Sequence, residues 1–333
     1  MTSGPLDLLA LGRISVDLFA QEPHASFLDP QTFVKSIGGS PTNVAVAGAR
    51  LGLRSAVVTA VGDDPLGDYA VAKLATFGVE TRYVTRRKGG RTPVALVALE
   101  DPAEPTLVLL RAIDAPDTAV EPEAVDNQTL DNCRVLWMSG SALAAGATAR
   151  TAMSWLERRD RRRHTVLDLD LRPTLWADPS DATAAATSAI AFSSVVVGNR
   201  SECAMALGTA DPHEAANDLL GRGVSIAVVK MGADGVLLAS ADERVVVEPT
   251  RVDVRCGSGA GDAFGGALAA GLVRDWPLAR IGQVANAAGA LVSSRLTCAD
   301  AMPTLPELEA FRASKAGEAG AARTHDEKVP DRG

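Results

Sequence analysis

Aromatic residues make up only 4% of the 333-residue chain, and cysteine occurs four times, at Cys133, Cys203, Cys256 and Cys298. These cysteines lie too far apart for a CxxC pair or a zinc-ligand cadence, so they read as reduced thiols. Basic residues are in deficit, 33 Lys and Arg against 41 Asp and Glu, for a net charge of −8. A nucleic-acid or membrane-surface binder needs a broad basic field to attract phosphates, so neither partner is expected. No apolar run approaches the ~18 residues that read as a membrane span. The start, MTSGPLDLLALG, has no basic segment ahead of an apolar one, so the expected location is the cytoplasm.

Several catalytic motifs are missing too. No Gly-Lys dipeptide occurs, which excludes the Walker A loop, and the glycines near residue 259 do not fit GxGxxG. HExxH and GxSxG are absent, and His24, His164, His213 and His325 have no triad or metal spacing. Metalloprotease, serine-hydrolase and nicotinamide-dehydrogenase chemistry therefore have no residues to stand on.

A hydrophobic content of 47% is ample for a buried core. Short apolar runs read as buried strands at Leu6 to Leu11, Ser55 to Val61, Val135 to Ser139, Thr165 to Leu171, Val195 to Val197, Ser225 to Val229 and Gly235 to Ala239. Helical patterns alternate with them, at Thr42 to Leu51, Pro65 to Phe77, Ala147 to Arg161, Asp181 to Phe192, Pro212 to Leu220, Ala263 to Arg274 and Leu278 to Ser294. Ser40 followed by Pro41 reads as a helix cap with proline in the first turn. The alternation predicts an α/β fold with a mostly parallel sheet and helices on both faces. Two stretches, near 13–37 and 92–115, are strand-like without an interleaved helix. They read either as a small antiparallel sheet that projects as a lid or as ordinary surface hairpins. From 313 to 333 the composition turns to Gly, Ala and charge, predicting a disordered tail behind a single domain of residues 1–312.

The densest chemical signal is Gly257-Ser258-Gly259-Ala260-Gly261-Asp262-Ala263-Phe264-Gly265-Gly266, running into an apolar helix. Small residues let backbone N–H groups approach an anion, and a helix N-terminus adds partial positive charge there. The segment can seat a phosphate. It can equally be a helix-entry turn in which Asp262 complements the dipole.

Gly38-Gly39-Ser40-Pro41-Thr42-Asn43-Val44-Ala45, continuing to Val61-Gly62-Asp63-Asp64, resembles the first signature of the PfkB (ribokinase-like) carbohydrate kinases, and the segment ending in Asp262 resembles their second. Asn199-Arg200-Ser201-Glu202 is similar to the family's NxxE motif, and Lys230-Met231-Gly232-Ala233-Asp234-Gly235 to its KxGxxG turn. The likeness runs from about Leu6 to Phe311. It implies a ribokinase-like fold, ATP as donor with Mg²⁺, and transfer to a sugar hydroxyl. Ala10 to Leu18 and Leu167 to Trp176 are similar to members that phosphorylate the 6-hydroxyl of 5-dehydro-2-deoxy-D-gluconate, a keto sugar acid of inositol catabolism. The Arg-x-x-Leu-Trp string is shared with 2-keto-3-deoxygluconate kinases, and ribokinase, fructokinase or a catalytically silent sugar sensor are further alternatives.

By this resemblance Asp262 is the general base, an ordinary carboxylate already ionised at neutral pH, and Gly259, Ala260 and Gly261 form the anion hole. Asp17, Gly38, Gly39 and Asn43 would bind sugar hydroxyls. Arg13, Arg111 and Arg172 are candidates for an acceptor carboxylate, because Arg makes bidentate contacts with one. Lys230, Gly232, Gly235 and Asn286 would flank the nucleotide. Asn199 and Glu202 would organise Mg²⁺ through water, or simply form a helix cap. Cys256-Gly257-Ser258 replaces the family's common Asp-Thr-Thr, so K⁺ would have to rest on backbone carbonyls. Leu109 and Leu110 stand before Arg111, where related acid kinases carry aromatics. A homodimer through the lid sheet is expected, because free strand edges seek partners.

Overall fold

A computed structural model describes residues 4–162 and 164–326. In chain order the elements are β1 (Leu8–Leu11), β2 (Ser15–Ala20), β3 (Phe33–Gly38), α1 (Ser40–Arg50), β4 (Ser55–Gly62), α2 (Pro65–Thr76), β5 (Val84–Arg87), β6 (Val94–Ala98) and β7 (Thr106–Leu110). Next come α3 (Asn127–Asn132), β8 (Val135–Ser139), α4 (Gly146–Arg159), β9 (Thr165–Asp168), α5 (Pro179–Ile190), β10 (Val195–Asn199), α6 (Arg200–Leu207) and α7 (Pro212–Gly221). The chain closes with β11 (Ile226–Lys230), β12 (Val236–Ala239), β13 (Arg244–Val247), α8 (Ala260–Val273), α9 (Leu278–Ser293) and α10 (Leu305–Asp326).

The main sheet has nine strands in the order β13-β12-β11-β10-β9-β8-β1-β4-β5. It is parallel except where β12 runs against both neighbours. Its side chains alternate between two cores, as a pleated strand requires. Leu8, Ala10, Val135 and Trp137 face α1, α8 and α9, while Leu9, Leu11, Leu136 and Met138 face α4 to α7. Burial on both faces explains why these strands read as unbroken apolar runs. The chain leaves β1 for β4 on one side and returns to β8 on the other. That reversal opens a crevice beyond the carboxyl ends of β1 and β8.

The two irregular stretches join as a second sheet, order β3-β2-β6-β7. Its two hairpins are antiparallel, but β2 and β6 run in parallel at the centre, so the sheet is mixed rather than antiparallel as expected. Each hairpin comes from a separate stretch of chain, and their inner strands happen to share a direction. Phe19 and Val97 beneath this sheet pack with Cys256 and Cys298.

Two further expectations need correction. Ser40 is already helical and Gly39 is the cap residue, with no side-chain cap bond, which frees the Ser40 hydroxyl for other work. Helix α10 continues beyond Ala313 to Asp326, where a disordered tail was expected. Ala, Glu, Lys and Arg are strong helix formers, so low hydrophobicity alone does not prevent a helix there. Residues 327–333 of that tail lie outside the described residues. All four cysteines are free and buried. Among the described residues no helix is long and apolar enough to cross a membrane.

Helices α1 and α8 approach closely because their contact is made of small residues. A Cβ on Gly266 would lie 2.3 Å from the Ala47 Cβ and 2.9 Å from the Gly48 nitrogen, so both neighbours are unable to give way cheaply. Gly266→Val should therefore lower unfolding free energy by about 1–3 kcal/mol, the usual range for overpacking. Urea unfolding checks it; a midpoint equal to the parent's would refute the close-packing argument.

Candidate active site

The crevice beyond the strand ends is a cavity of about 860 Å³. Its floor comes from the carboxyl ends of β9, β10 and β11, its rear from the front of α8, and its roof from the small sheet through Asp17, Phe19, Val97 and Leu109. Gly257 donates its N–H to the Pro102 carbonyl at 2.7 Å, which ties the glycine-rich loop to the β6–β7 hairpin of the roof.

Asp262 sits in the first turn of α8, and the first intrahelical bond there is Ala263 N–H to Gly259 O at 2.9 Å. The preceding amides at residues 260–262 are therefore first-turn donors without an intrahelical acceptor. Gly259, the cap, has φ +85 and a Cβ there would lie 2.9 Å from the Cys298 sulfur, so the tight entry requires glycine. Asn43 on α1 donates from Nδ2 to Asp262 Oδ2 at 2.8 Å, and the Ser40 hydroxyl supports the same carboxylate. Burial outweighs these bonds and pushes the Asp262 pKa up to about 6, which corrects the expectation of an ordinary carboxylate. It remains ionised at neutral pH. The Asn43 Oδ1 is buried, has no hydrogen-bond partner among the described residues, and is an open acceptor beside it.

Asp17 on β2 accepts a hydrogen bond from the Ser15 hydroxyl at 2.6 Å, and burial, with Asp262 nearby, raises its pKa to about 6. Gly38 is the reason Asp17 fits: a Cβ at that position would fall 1.8 Å from Asp17 Oδ2. Gly39 lines the cavity beside Asp17 and Asn43, whereas Gly38 lies behind them.

The three candidate arginines differ. Arg111 spends both terminal nitrogens on the buried Asp117, which also accepts from the Ile14 N–H at 3.1 Å. Arg13 donates from Nε to the Ser141 carbonyl at 3.2 Å; burial first, then Arg111, lowers its pKa to about 10. Arg172 donates from Nε to Asp170 Oδ1 at 2.8 Å, and its side chain is 58% exposed at the cavity wall. Asp170 raises the pKa of this guanidinium.

On the opposite side, Lys230 at the end of β11 lies 3.6 Å from Asp168 and points toward Gly261. Burial alone would lower the Lys230 pKa, but Asp168, Glu202 and Asp262 drive it upward. Burial in turn pushes the Asp168 carboxyl up, against the pull of Lys230. Asn199 and Glu202 line the cavity and also form a reciprocal cap on α6, Glu202 N–H to Asn199 Oδ1 at 2.9 Å and Asn199 N–H to Glu202 Oε2 at 2.7 Å. Gly232 and Gly235 flank the turn from β11 to β12, outside the cavity wall. Asn286 on α9 is also outside it, donating to the Glu248 carbonyl at 3.0 Å.

Sequence reasoning missed Asp168, Asp170 and Asp117. The signal was present: LDLDL alternates carboxylates with leucines in a run that otherwise reads as buried, and a buried carboxylate needs a partner or a task. Among the described residues, no cluster of three or more His, Cys, Asp or Glu could hold a metal ion.

Comparison with known proteins agrees with this geometry. The family model described as pfkB family carbohydrate kinase matches residues 6–305. The chain is 31% identical to a 5-dehydro-2-deoxygluconokinase of Geobacillus kaustophilus over 92% of this chain and 93% of that protein. In structure it is similar to a PfkB protein from Polaromonas (25% identity, TM-score 0.81, covering 92% of this chain and 99% of that one). A fructokinase from Xylella fastidiosa with bound ATP has the same fold (24% identity, TM-score 0.80, 93% and 98% covered). With a family match over residues 6–305, on a fold whose crevice gathers both signatures, the protein belongs to the pfkB family and is a carbohydrate kinase.

Proposed function

We propose that the enzyme transfers the γ-phosphoryl group of ATP to the 6-hydroxyl of a six-carbon keto sugar acid, 5-dehydro-2-deoxy-D-gluconate. One observation carries the reading: the half-buried carboxylate of Asp262, held by Asn43, stands beside first-turn amides that have no intrahelical acceptor. The names of the relatives support the acceptor, and the cavity's arginines suit its carboxylate. Asp262 takes the proton of the 6-hydroxyl as its oxygen forms a bond to the γ-phosphorus and the bond from that phosphorus to the bridging oxygen breaks, releasing ADP. The amides of Gly259, Ala260 and Gly261 hold charge on the transferring oxygens, at fixed positions that need no reorganisation. Asp17 and the open Asn43 oxygen take acceptor hydroxyls, and Lys230 meets the phosphate chain as a point charge.

Magnesium fits as an ion borne by the nucleotide with much of its water shell, not as one caged by the protein. Asp168 Oδ1 is buried, faces Lys230 at 3.6 Å and among the described residues accepts no hydrogen bond, and Asn199 and Glu202 face the same space while capping α6, so these three residues would hold the ion's waters. When bound, the ion neutralises charge on the β- and γ-phosphates. Asn286, by fixing the carbonyls of Val247 and Glu248, shapes the loop that the adenine would border.

The enzyme pairs with a second copy through its small sheet. Among the described residues strand β7 is a free edge on which Leu107, Val108, Leu109 and Leu110 are all exposed, with the exposed Ile113 shortly after it in the chain. An edge this apolar is a template for strand pairing.

Asp262→Asn should lower kcat by roughly 100- to 10,000-fold with little change in ATP affinity. In the parent enzyme kcat/KM should fall as pH drops through about 6, because protonation of Asp262, and of Asp17, removes the charge each needs. Turnover near the parent's in that variant, or a flat profile from pH 5 to 7, would sink the base assignment. For assembly, light scattering should give a dimer that Val108→Lys with Leu110→Lys converts to a monomer; a monomeric parent would refute the pairing.

A further inference from the structure

Asp170 is not explained by phosphoryl transfer. It follows β9, is buried, and holds φ at +28, a left-handed conformation that costs a non-glycine residue of order 1 kcal/mol or more. Both carboxylate oxygens are engaged: Oδ2 accepts from the Ser139 hydroxyl at 2.9 Å and Oδ1 from Arg172 Nε at 2.8 Å. The Ser139 hydroxyl also bonds that of Ser141, whose carbonyl accepts from Arg13 Nε at 3.2 Å. A continuous chain of contacts thus links Arg172 to Arg13. Each guanidinium is anchored by Nε alone, and among the described residues no hydrogen bond is made by the two terminal nitrogens of Arg172.

That anchoring decides what Arg172 can do. A guanidinium held by Nε presents its remaining edge as a rigid fork, the geometry that matches a carboxylate bidentately. Arg111 has already spent its terminal nitrogens on Asp117. The cavity is otherwise hostile to an anion at the acceptor end, where the buried Asp17 and the half-buried Asp262 both present carboxylates. An acidic acceptor therefore needs a cation fixed at a distance from those two charges, and Arg172 is the exposed one.

We propose that Asp170 is a positioning residue that presents the Arg172 fork to the acceptor's carboxylate and so sets a preference for sugar acids over neutral sugars. The inference rests on the acid-kinase reading above. Asp170 acts through Arg172, because both of its carboxylate oxygens are already engaged within the protein. Its strained backbone is the means by which a carboxylate on the strand's end reaches back to Ser139 while still facing Arg172.

The test compares kcat/KM for the keto sugar acid and for its counterpart with the carboxylate reduced to a primary alcohol. The parent, Asp170→Asn, Arg172→Ala and the double variant are measured, with thermal melts to establish folding. Each single variant should lower the acid-over-alcohol preference by roughly 10- to 100-fold, the range for losing a charged hydrogen bond. The double variant should fall no further than Arg172→Ala, because Asp170 acts through that side chain. Equal losses on both substrates in Asp170→Asn, or an undiminished preference in it, would overturn the inference while leaving the acid reading intact. A parent that does not prefer the acid would overturn both, and that result is visible before any variant is made. If Asp170→Asn does not fold, Arg172→Lys serves, since a single ammonium cannot bridge Asp170 and a substrate carboxylate as a fork does. Retention of the preference there would overturn the inference equally.

Discussion

Much of the molecule is organised around holding one ionised carboxylate, Asp262, in a place where burial opposes its charge. Its pKa rises to about 6, so neighbours keep it ionised at neutral pH without restoring its ordinary acidity. The neighbours that hydrogen-bond it are Asn43 and Ser40 on α1, more than two hundred residues away in sequence. The two helices must therefore meet closely, which is what the glycines and alanines at their contact permit. A base raised toward neutrality is also a stronger proton acceptor, so desolvation serves the chemistry as long as the charge survives.

The sheet order explains the rest of the arrangement. Because β1 leads to β4 in one direction and β8 to β11 lie in the other, the carboxyl ends of several strands converge on one crevice. The residues they deliver pair opposite charges, Asp168 with Lys230 and Asp170 with Arg172, while Arg111 at the end of β7 pairs with Asp117 beside them. Pairing in this way lets many charges occupy one cavity without a large net field, since a buried ion left alone costs several kcal/mol. The small sheet then covers the cavity, and its hairpin touches the glycine-rich loop at Gly257.

The main sheet and helices were legible because their residues obey a single local rule, apolar runs for strands buried on both faces and a helical period between them. Asp262 and the glycines before it were legible because their chemistry is contiguous. What escaped was set by contacts across the chain. Asp168 and Asp170 lay in a string recognised as apolar, and only the fold reveals that β9 ends inside the cavity. The sequence could not tell that Arg111 would be occupied by Asp117, nor that Arg172 would keep its fork free, since both are arginines beside a strand. The mixed direction of the small sheet depended on how two distant hairpins met. Helix α10 outran the expected tail because helix propensity acts without a core to bury.

The account turns on where the nucleotide's last phosphate lies relative to the front of α8. A crystal structure with a non-hydrolysable ATP analogue and the sugar acid tests this directly. The γ-phosphoryl oxygens should lie within hydrogen-bond reach of the amides at residues 259–261, with the acceptor hydroxyl about 3 Å from the Asp262 carboxylate. A terminal phosphate bound away from those amides, with Asp262 facing no hydroxyl, would contradict it.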